Sequence, residues 1–300
     1  MAVTTAPRRE ARTIGGGLRT RRLIGQALTY GVLLLGLAAV LLPLYWMIAT
    51  SLKTETALFV LPPQWAPDPV RWQNYLEVWQ LIPLARYFAN SLFITALAMV
   101  GEILTCALVA YGFARFRFPG RNALFAIMLG TMMLPGVITL IPSFVIWAQW
   151  LGRYDTYSPL TVGALFAWGP SYIFLLRQFF LTIPSEIEDA AVVDGANVAQ
   201  TFFQVMLPLV RPALLAIAVL SFNGNWNNFQ SPLIYLSTGE KFPLPLGLYQ
   251  FNSAIAGGGE APKWNLMMAM TVLMAIPIVL LYFRAQKYFI EGLTVGAVKG

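Results

Sequence analysis

Apolar and polar positions divide the chain into six long apolar runs joined by shorter polar connections. The runs cover residues 28–50, 88–113, 123–147, 159–180, 209–236 and 264–289. Each is long enough for a helix to cross a bilayer, which takes about 20 residues. The pattern predicts an all-α, polytopic integral membrane protein with six transmembrane helices. Pro43, Pro135, Pro142, Pro170 and Pro277 fall inside these runs. Kinks are tolerable there, because neighbouring helices can satisfy the carbonyls that a proline frees.

One connection breaks the pattern. Residues 184–212 form a polar, helix-patterned insert between the fourth and fifth runs. Four of the chain's thirteen acidic residues, Glu186, Glu188, Asp189 and Asp194, fall here. Ser185 and Glu188 have the spacing of a capping box directly after Pro184. The helix they predict carries Ile187, Ala190, Ala191 and Asp194 on one face, and the alanines keep that face thin enough for a partner to approach closely. Gly195 then supplies a left-handed residue to end the helix. Asn197 and Gln200 can start a second helix, with Val198, Phe202, Val205 and Met206 as its apolar stripe. Leu207 and Pro208 are expected to stop it. A helix resting on lipid favours Lys and Arg on its polar face. This one carries acids, so a protein partner is expected.

Composition supports the membrane class. Hydrophobic residues make up 58% of the chain and charged residues 11%, against about a quarter charged in soluble domains. There is no histidine, and the single cysteine, Cys106, lies inside an apolar run. That excludes a disulfide within the chain and argues against a zinc site or a His- or Cys-based active site. No metal-ligand cluster and no nucleophile–base pair can be assembled from these residues. The net charge of +7 follows topology rather than nucleic-acid binding. With the N-terminus inside, fourteen basic residues fall on the inner side and six on the outer, as the positive-inside rule requires. Both termini and the insert are therefore expected in the cytoplasm. Three regions follow: a basic N-terminal tail over 1–27, a single transmembrane domain over 28–290 with its cytoplasmic loop at 184–208, and a C-terminal tail over 291–300.

Three outer or buried features carry candidate chemistry. The first outer loop places Trp72, Tyr75 and Trp79 at helical spacing. They fit a helix lying at the bilayer surface, or a surface for an external partner. Residues 237–263 are too polar and glycine-rich for a span and read as a loop with a mobile tip around Gly257, Gly258 and Gly259. Glu102 is a carboxylate deep in a span with no basic residue at its depth to pair with. A hydrogen-bonded role, or a place beside a wet cavity, is expected in preference to proton transport. The outer part of the fifth run carries Asn223, Asn225, Trp226, Asn227 and Asn228. Five amides including Gln230 cannot face lipid cheaply. Asn223, Asn227 and Gln230 share one face, and Asn225 and Asn228 the opposite one. One face can join helices, and the other can line a polar route in which Trp226 offers a sugar its ring.

The run D-A-A-V-V-D-G-A, nine residues from Ala196 to Gln204, then V-M-L-P, resembles the cytoplasmic loop of ABC importer permeases. That family's pattern is Glu-Ala-Ala, three residues, Gly, nine residues, Ile-x-Leu-Pro. Asp189 stands where Glu is usual and Val205 where Ile is usual. A-R-F-R-F-P-G-R at 114–121, F-L-L-R-Q-F-F at 174–180, P-L-I-Y-L at 232–236 and E-G-L-T-V-G-A-V-K-G at 291–300 look like the carbohydrate-importing branch, similar to the second permease of maltose-type systems. The resemblance implies a pore subunit in the bacterial cytoplasmic membrane. Its partners would be a second homologous permease, a cytoplasmic ABC ATPase dimer and an extracytoplasmic sugar-binding protein. Asp189, Ala190, Ala191, Asp194, Gly195, Ala196, Leu207 and Pro208 would couple it to the ATPase, and Gly292 to Gly300 would also reach the ATPase dimer. No G-x-x-x-x-G-K-[ST] is present, so ATP and magnesium would be used by the partner, and this chain would bind no cofactor and be no enzyme. The alternative is an ion-coupled secondary transporter of a small polar solute.

Overall fold

The structure is a computed structural model that describes residues 15–257 and 262–297. Residues 1–14, the glycine tip at 258–261 and residues 298–300 lie outside the described residues. The described residues contain helices and turns and no strand. Four helices are long and apolar enough to cross a membrane, and up to six if each of two bent pairs counts as one span.

The first helix, α1 (Gly15–Ser51), starts inside the segment read as a tail and keeps Pro43 in its interior. Its apolar side chains are exposed along most of its length, as expected of a helix whose solvent is lipid. A short helix, α2 (Gln73–Leu81), follows and buries Asn74 and Val78. It splits the predicted aromatic row: Trp72 and Trp79 are exposed, whereas the Tyr75 hydroxyl lies 2.7 Å from Ser51 Oγ. The spine of the molecule is α3 (Leu84–Arg115), 32 residues long, or about 48 Å at 1.5 Å per residue.

The third and fourth apolar runs are not single rods. α4 (Arg121–Thr131) opens after Gly120, which is left-handed at φ +79°. It bends by 96° into α5 (Gly136–Phe144), because Pro135 cannot continue a helix. A π-helical stretch over Val145–Trp150 extends α5. The fourth pass comprises α6 (Ser158–Thr161), a 3₁₀ turn over Val162–Phe166, and α7 (Pro170–Thr182). The backbone groups freed between them need partners, and Thr105 of α3 supplies one. Its hydroxyl donates to Ala164 O at 2.9 Å and accepts from Ala167 N at 3.1 Å.

Next come α8 (Ser185–Val193), then α9 (Val198–Gln200), a π-helical stretch over Thr201–Met206, and α10 (Leu207–Leu209). After these, α11 (Arg211–Trp226) climbs back through the bundle. The fifth run, expected to continue to Leu236, instead ends at Trp226 and resumes as α12 (Gln230–Tyr235). The loop expected over 237–263 is largely helical. α13 (Leu244–Gly257) drives Leu244, Leu246 and Phe251 into the core. Gly247 permits this, since a Cβ there would clash with the Tyr87 ring. The last helix, α14 (Trp264–Ala297), runs past the expected end of the sixth span and contains Pro277.

Two apolar cores result. At the end carrying the insert, Tyr111, Phe180, Phe202, Met206 and Ile217 pack α3, α7, the insert and α11 together. At the opposite end, Leu84, Tyr87, Trp226, Leu246 and Met270 join α3, α11, α13 and α14. A layer of polar contacts closes this far end. Asp155 accepts from Ser237 N, Thr238 N, the Thr238 hydroxyl and Lys241 Nζ, the last at 2.7 Å. Burial alone would raise the Asp155 carboxyl, but these donors outweigh it and hold it well below the usual carboxylate range. Asn74 Nδ2 donates to the Ser51 and Lys53 carbonyls, and Asn265 Nδ2 donates to Asn74 Oδ1. Beside them Lys53 is buried, with its ammonium 4.1 Å from the centre of the Trp46 ring, and burial lowers its pKa.

Candidate functional site

The insert is hinged where the sequence reading placed the hinge. Gly195 has φ +86°, a conformation that costs a residue with a Cβ about 1–2 kcal/mol. Ala196 N donates to Ala191 O at 2.9 Å and Gly195 N to Val192 O at 3.0 Å, the paired bonds of a Schellman motif. The second helix starts as expected. Gln200 N donates to Asn197 Oδ1 at 2.9 Å and Asn197 N to Gln200 Oε1 at 2.8 Å, a complete capping box.

The first helix starts differently. Pro184 holds the N-cap position and no side chain caps α8, so the Ser185–Glu188 capping box does not form. Ser185 is already the first residue inside the helix and Pro184 has no N–H for the Glu188 carboxylate to accept, so the reciprocal bonds of a capping box have no place to form. Glu188 turns instead to Arg115 at the end of α3, with Oε1 3.2 Å from Nε. This also orients α8. Ala191, expected on the outward face, is buried, because it lies one turn from Glu188 on the side facing the bundle. Ile187, Asp189, Ala190, Val192, Val193, Asp194 and Gly195 are exposed, with Val193 86% exposed, and Ala196 is half-buried.

Two aromatic contacts anchor the second half. Phe202 packs on Tyr111 at 5.1 Å and Phe180 at 6.4 Å between ring centres, and Met206 beside it is fully buried. Val198 and Phe203 remain exposed, and Val205 is half-buried, so the expected apolar stripe divides between core and surface. Leu207 and Pro208 do not stop the helix: Pro208 sits in α10, near its start. The break comes at Val210, and α11 leaves at 78° to the preceding run, with Pro212 in its first turn, where its missing N–H costs nothing.

On α11 the amides separate into two sets. Asn223 and Asn227 are exposed and bonded to each other, with Asn227 Nδ2 3.0 Å from Asn223 Oδ1. Asn225 faces inward, donating to Ser221 O at 3.0 Å and, at 3.5 Å, to Glu102 Oε2. The Ser221 hydroxyl donates to the same carboxylate oxygen at 2.5 Å. Glu102 is therefore a hydrogen-bonded tie between α3 and α11, in line with the structural role expected of it. Asn228 turns away from both sets: its Oδ1 accepts from Ser231 N at 3.1 Å and opens α12.

Trp226 requires a correction. It is 1% exposed, stacked on Phe222 at 5.3 Å and edge-on to Phe88 at 5.4 Å. Its indole N–H donates to Met274 O at 3.0 Å. Both its ring and its polar handle are occupied, so it offers no face to a sugar and instead packs α11 against α3 and α14. An apolar cavity of about 730 Å³ lined by Leu42, Trp46, Trp65 and Met268 lies between α1 and α14, away from the amides, and contributes no polar site. The sequence reading did not single out Arg115, Ser221 or Asp155 as contacts. Arg115 was visible only as one arginine of the A-R-F-R-F-P-G-R run at 114–121.

Residues 103–295 match the family described as binding-protein-dependent transport system inner membrane component. The chain is 33% identical to the probable ABC transporter permease protein YurM of Bacillus subtilis, over 94% of this chain and 91% of that one. It is 33% identical to the arabinooligosaccharides transport system permease protein AraQ of Halalkalibacterium halodurans, over 94% and 99%. It is 31% identical to the sn-glycerol-3-phosphate transport system permease protein UgpE of Yersinia enterocolitica, over 87% and 93%. Among solved structures it resembles a bacterial ABC transporter involved in the import of the acidic polysaccharide alginate. The TM-score is 0.78 at 26% identity, covering 90% of this chain and 98% of that chain.

Proposed function

Because this chain belongs to the family of binding-protein-dependent transport system inner membrane components, we propose that it is a permease subunit of an ATP-driven carbohydrate importer. It forms half of a translocation pore and turns closure of a partner ATPase into alternating access. The observation that carries this reading is α8. It is a short acidic helix, hinged at a left-handed glycine, held to the bundle on one side and exposing small and apolar residues on the other. A partner cleft can grip that exposed face, and rigid-body movement then passes to the spans on either side.

In this reading the insert and both termini are cytoplasmic, and the chain crosses the bacterial inner membrane six times, two of the passes bent. Asp189, Ala190, Asp194 and Gly195 meet the ATPase. Ala191, Ala196, Leu207 and Pro208 shape the backbone behind them. ATP and magnesium bind the ATPase, and this chain carries no cofactor and no catalytic centre. A second, homologous permease completes the pore, and an extracytoplasmic binding protein delivers the substrate. Asn223 and Asn227 are the amides placed to line the route, because exposed amides at membrane depth must face water or protein rather than lipid. Names among the relatives, from arabinooligosaccharides to sn-glycerol-3-phosphate and alginate, support a hydroxyl-rich substrate class. The test is uptake of radiolabelled oligosaccharide into proteoliposomes holding the full complex. Uptake should require ATP and the ATPase; uptake driven by an ion gradient alone would favour a secondary transporter.

A further inference from the structure

We propose that Arg115 is the positioning residue through which the docking helix acts on the bundle: it fixes α8 to α3, and movement of α8 enters the membrane domain along α3. The inference rests on the permease reading above and adds a specified mechanical link to it.

Arg115 is the last residue of α3 and holds three elements with one guanidinium. Its Nη2 donates to Ile183 O at 2.7 Å, capping the end of α7 where the chain turns into the insert. Its Nε lies 3.2 Å from Glu188 Oε1 on α8. The pair is sheltered, with the Arg115 side chain 13% exposed and that of Glu188 18%, so solvent screens it less than a surface ion pair. Along α8 the inward contacts are Glu188 and Ala191, one turn apart. The contact with Arg115 is ionic, with no aligned hydrogen bond between Nε and Oε1. The Tyr111 hydroxyl, one turn back on α3, bonds the same carboxylate, so Glu188 is the point at which α3 holds α8, through the charge of Arg115 and the hydroxyl of Tyr111.

α3 is suited to carry the movement. It is one continuous helix of 32 residues without an internal proline, in a chain whose third, fourth and fifth passes are all broken. One turn from Arg115, Tyr111 packs on Phe202 of the insert. Midway, Glu102 holds Ser221 and Asn225 of α11, the helix with the exposed amides. At the far end, Asn90 donates to the Glu240 and Phe242 carbonyls, and Ser91 Oγ accepts from Leu244 N. A shift applied at Arg115 therefore reaches the amide-bearing helix and the far-end loops through one rod.

The experiment uses the complete reconstituted complex and measures uptake and ATP hydrolysis in the same vesicles, with and without binding protein. Arg115→Glu should lower the uptake per ATP at least ten-fold and weaken the stimulation of hydrolysis by binding protein, while the complex still co-purifies. Glu188→Arg should do the same. The double exchange Arg115→Glu with Glu188→Arg should recover part of the ratio, since the ion pair returns but the bond to Ile183 O does not. Arg115→Lys keeps the charge, loses the forked geometry and should lower the ratio several-fold, which covers the case in which a charge reversal prevents assembly. A wild-type ratio in Arg115→Lys, or a double exchange no better than the two single losses combined, would overturn the proposal. Wild-type uptake with no ATPase present would overturn the permease reading itself, and with it this link.

Discussion

The two ends of the molecule are held by different means. At the far end, Asp155 binds four donors from the 237–241 turn, Asn74 and Asn265 chain their amides to backbone carbonyls, and Asn90 spans two more. At the insert end, α8 is joined to the bundle by one carboxylate, Glu188, which meets the Arg115 guanidinium and the Tyr111 hydroxyl, by packing on the Thr201–Met206 stretch, and by a glycine hinge. Many short polar ties fix the relative placement of loops, whereas contacts centred on Glu188, beside a left-handed hinge, hold a helix so that it moves together with the end of α3. The contrast is what a transmitting device needs: an exposed handle tied to one rod at one end and a fixed frame at the other.

The comparison can be tested by substitutions that remove either property. The largest effect is expected from Gly195→Pro. Proline locks φ near −65° and lacks the N–H that closes the Schellman pair, so α8 loses its orientation. ATP-dependent uptake should fall to background while membrane insertion, followed by protease accessibility, is unchanged. Next is Trp226→Ala at the frame. Removing a fully buried tryptophan costs about 3–5 kcal/mol, which should appear as a marked loss of thermal stability of the purified complex.

Smaller effects should separate the two amide sets. Asn225→Leu breaks the tie to Glu102 and Ser221 and should cost about 1–3 kcal/mol of stability, as expected for orphaned buried polar groups. Asn227→Leu should leave the melt unchanged and reduce uptake several-fold. Identical behaviour of the two variants would remove the distinction between a structural and a route-lining face.

The smallest effect concerns acidity at the frame. The Asp155 carboxyl is depressed in the folded state, so its contribution to stability is fully present above the ordinary carboxylate range near pH 4. It is lost progressively as the pH falls toward the depressed folded value. Asp155→Asn should lower stability at neutral pH and flatten the acid limb of the stability profile, measured by thermal melts between pH 3 and pH 7.

The parts legible in the sequence are those set by local chemistry. The hinge at Gly195, the cap at Asn197 and Gln200 and the long apolar runs each follow from residues within a few positions of one another. What escaped depends on distant partners. The Glu188–Arg115 pair joins residues far apart in sequence, so Glu188 read as half of a capping box with Ser185, although the helix starts one residue earlier, with Pro184 at its N-cap. α13 read as a loop because its core-facing leucines sit among proline and glycine, and only the close fit of Gly247 to Tyr87 explains why a small residue belongs there. Trp226 read as a ligand platform because its amide neighbours are polar. Its own surroundings, Phe222, Phe88 and the Met274 carbonyl, come from two other helices as well as its own.

The most direct test of the central claim is uptake by proteoliposomes containing the complete complex, with ATP inside and binding protein outside, compared with vesicles lacking the ATPase. Uptake that needs the ATPase and ATP, and that Gly195→Pro reduces to background, is the predicted result. Uptake that proceeds on a proton or sodium gradient without the ATPase, or that Gly195→Pro leaves unchanged, would contradict it.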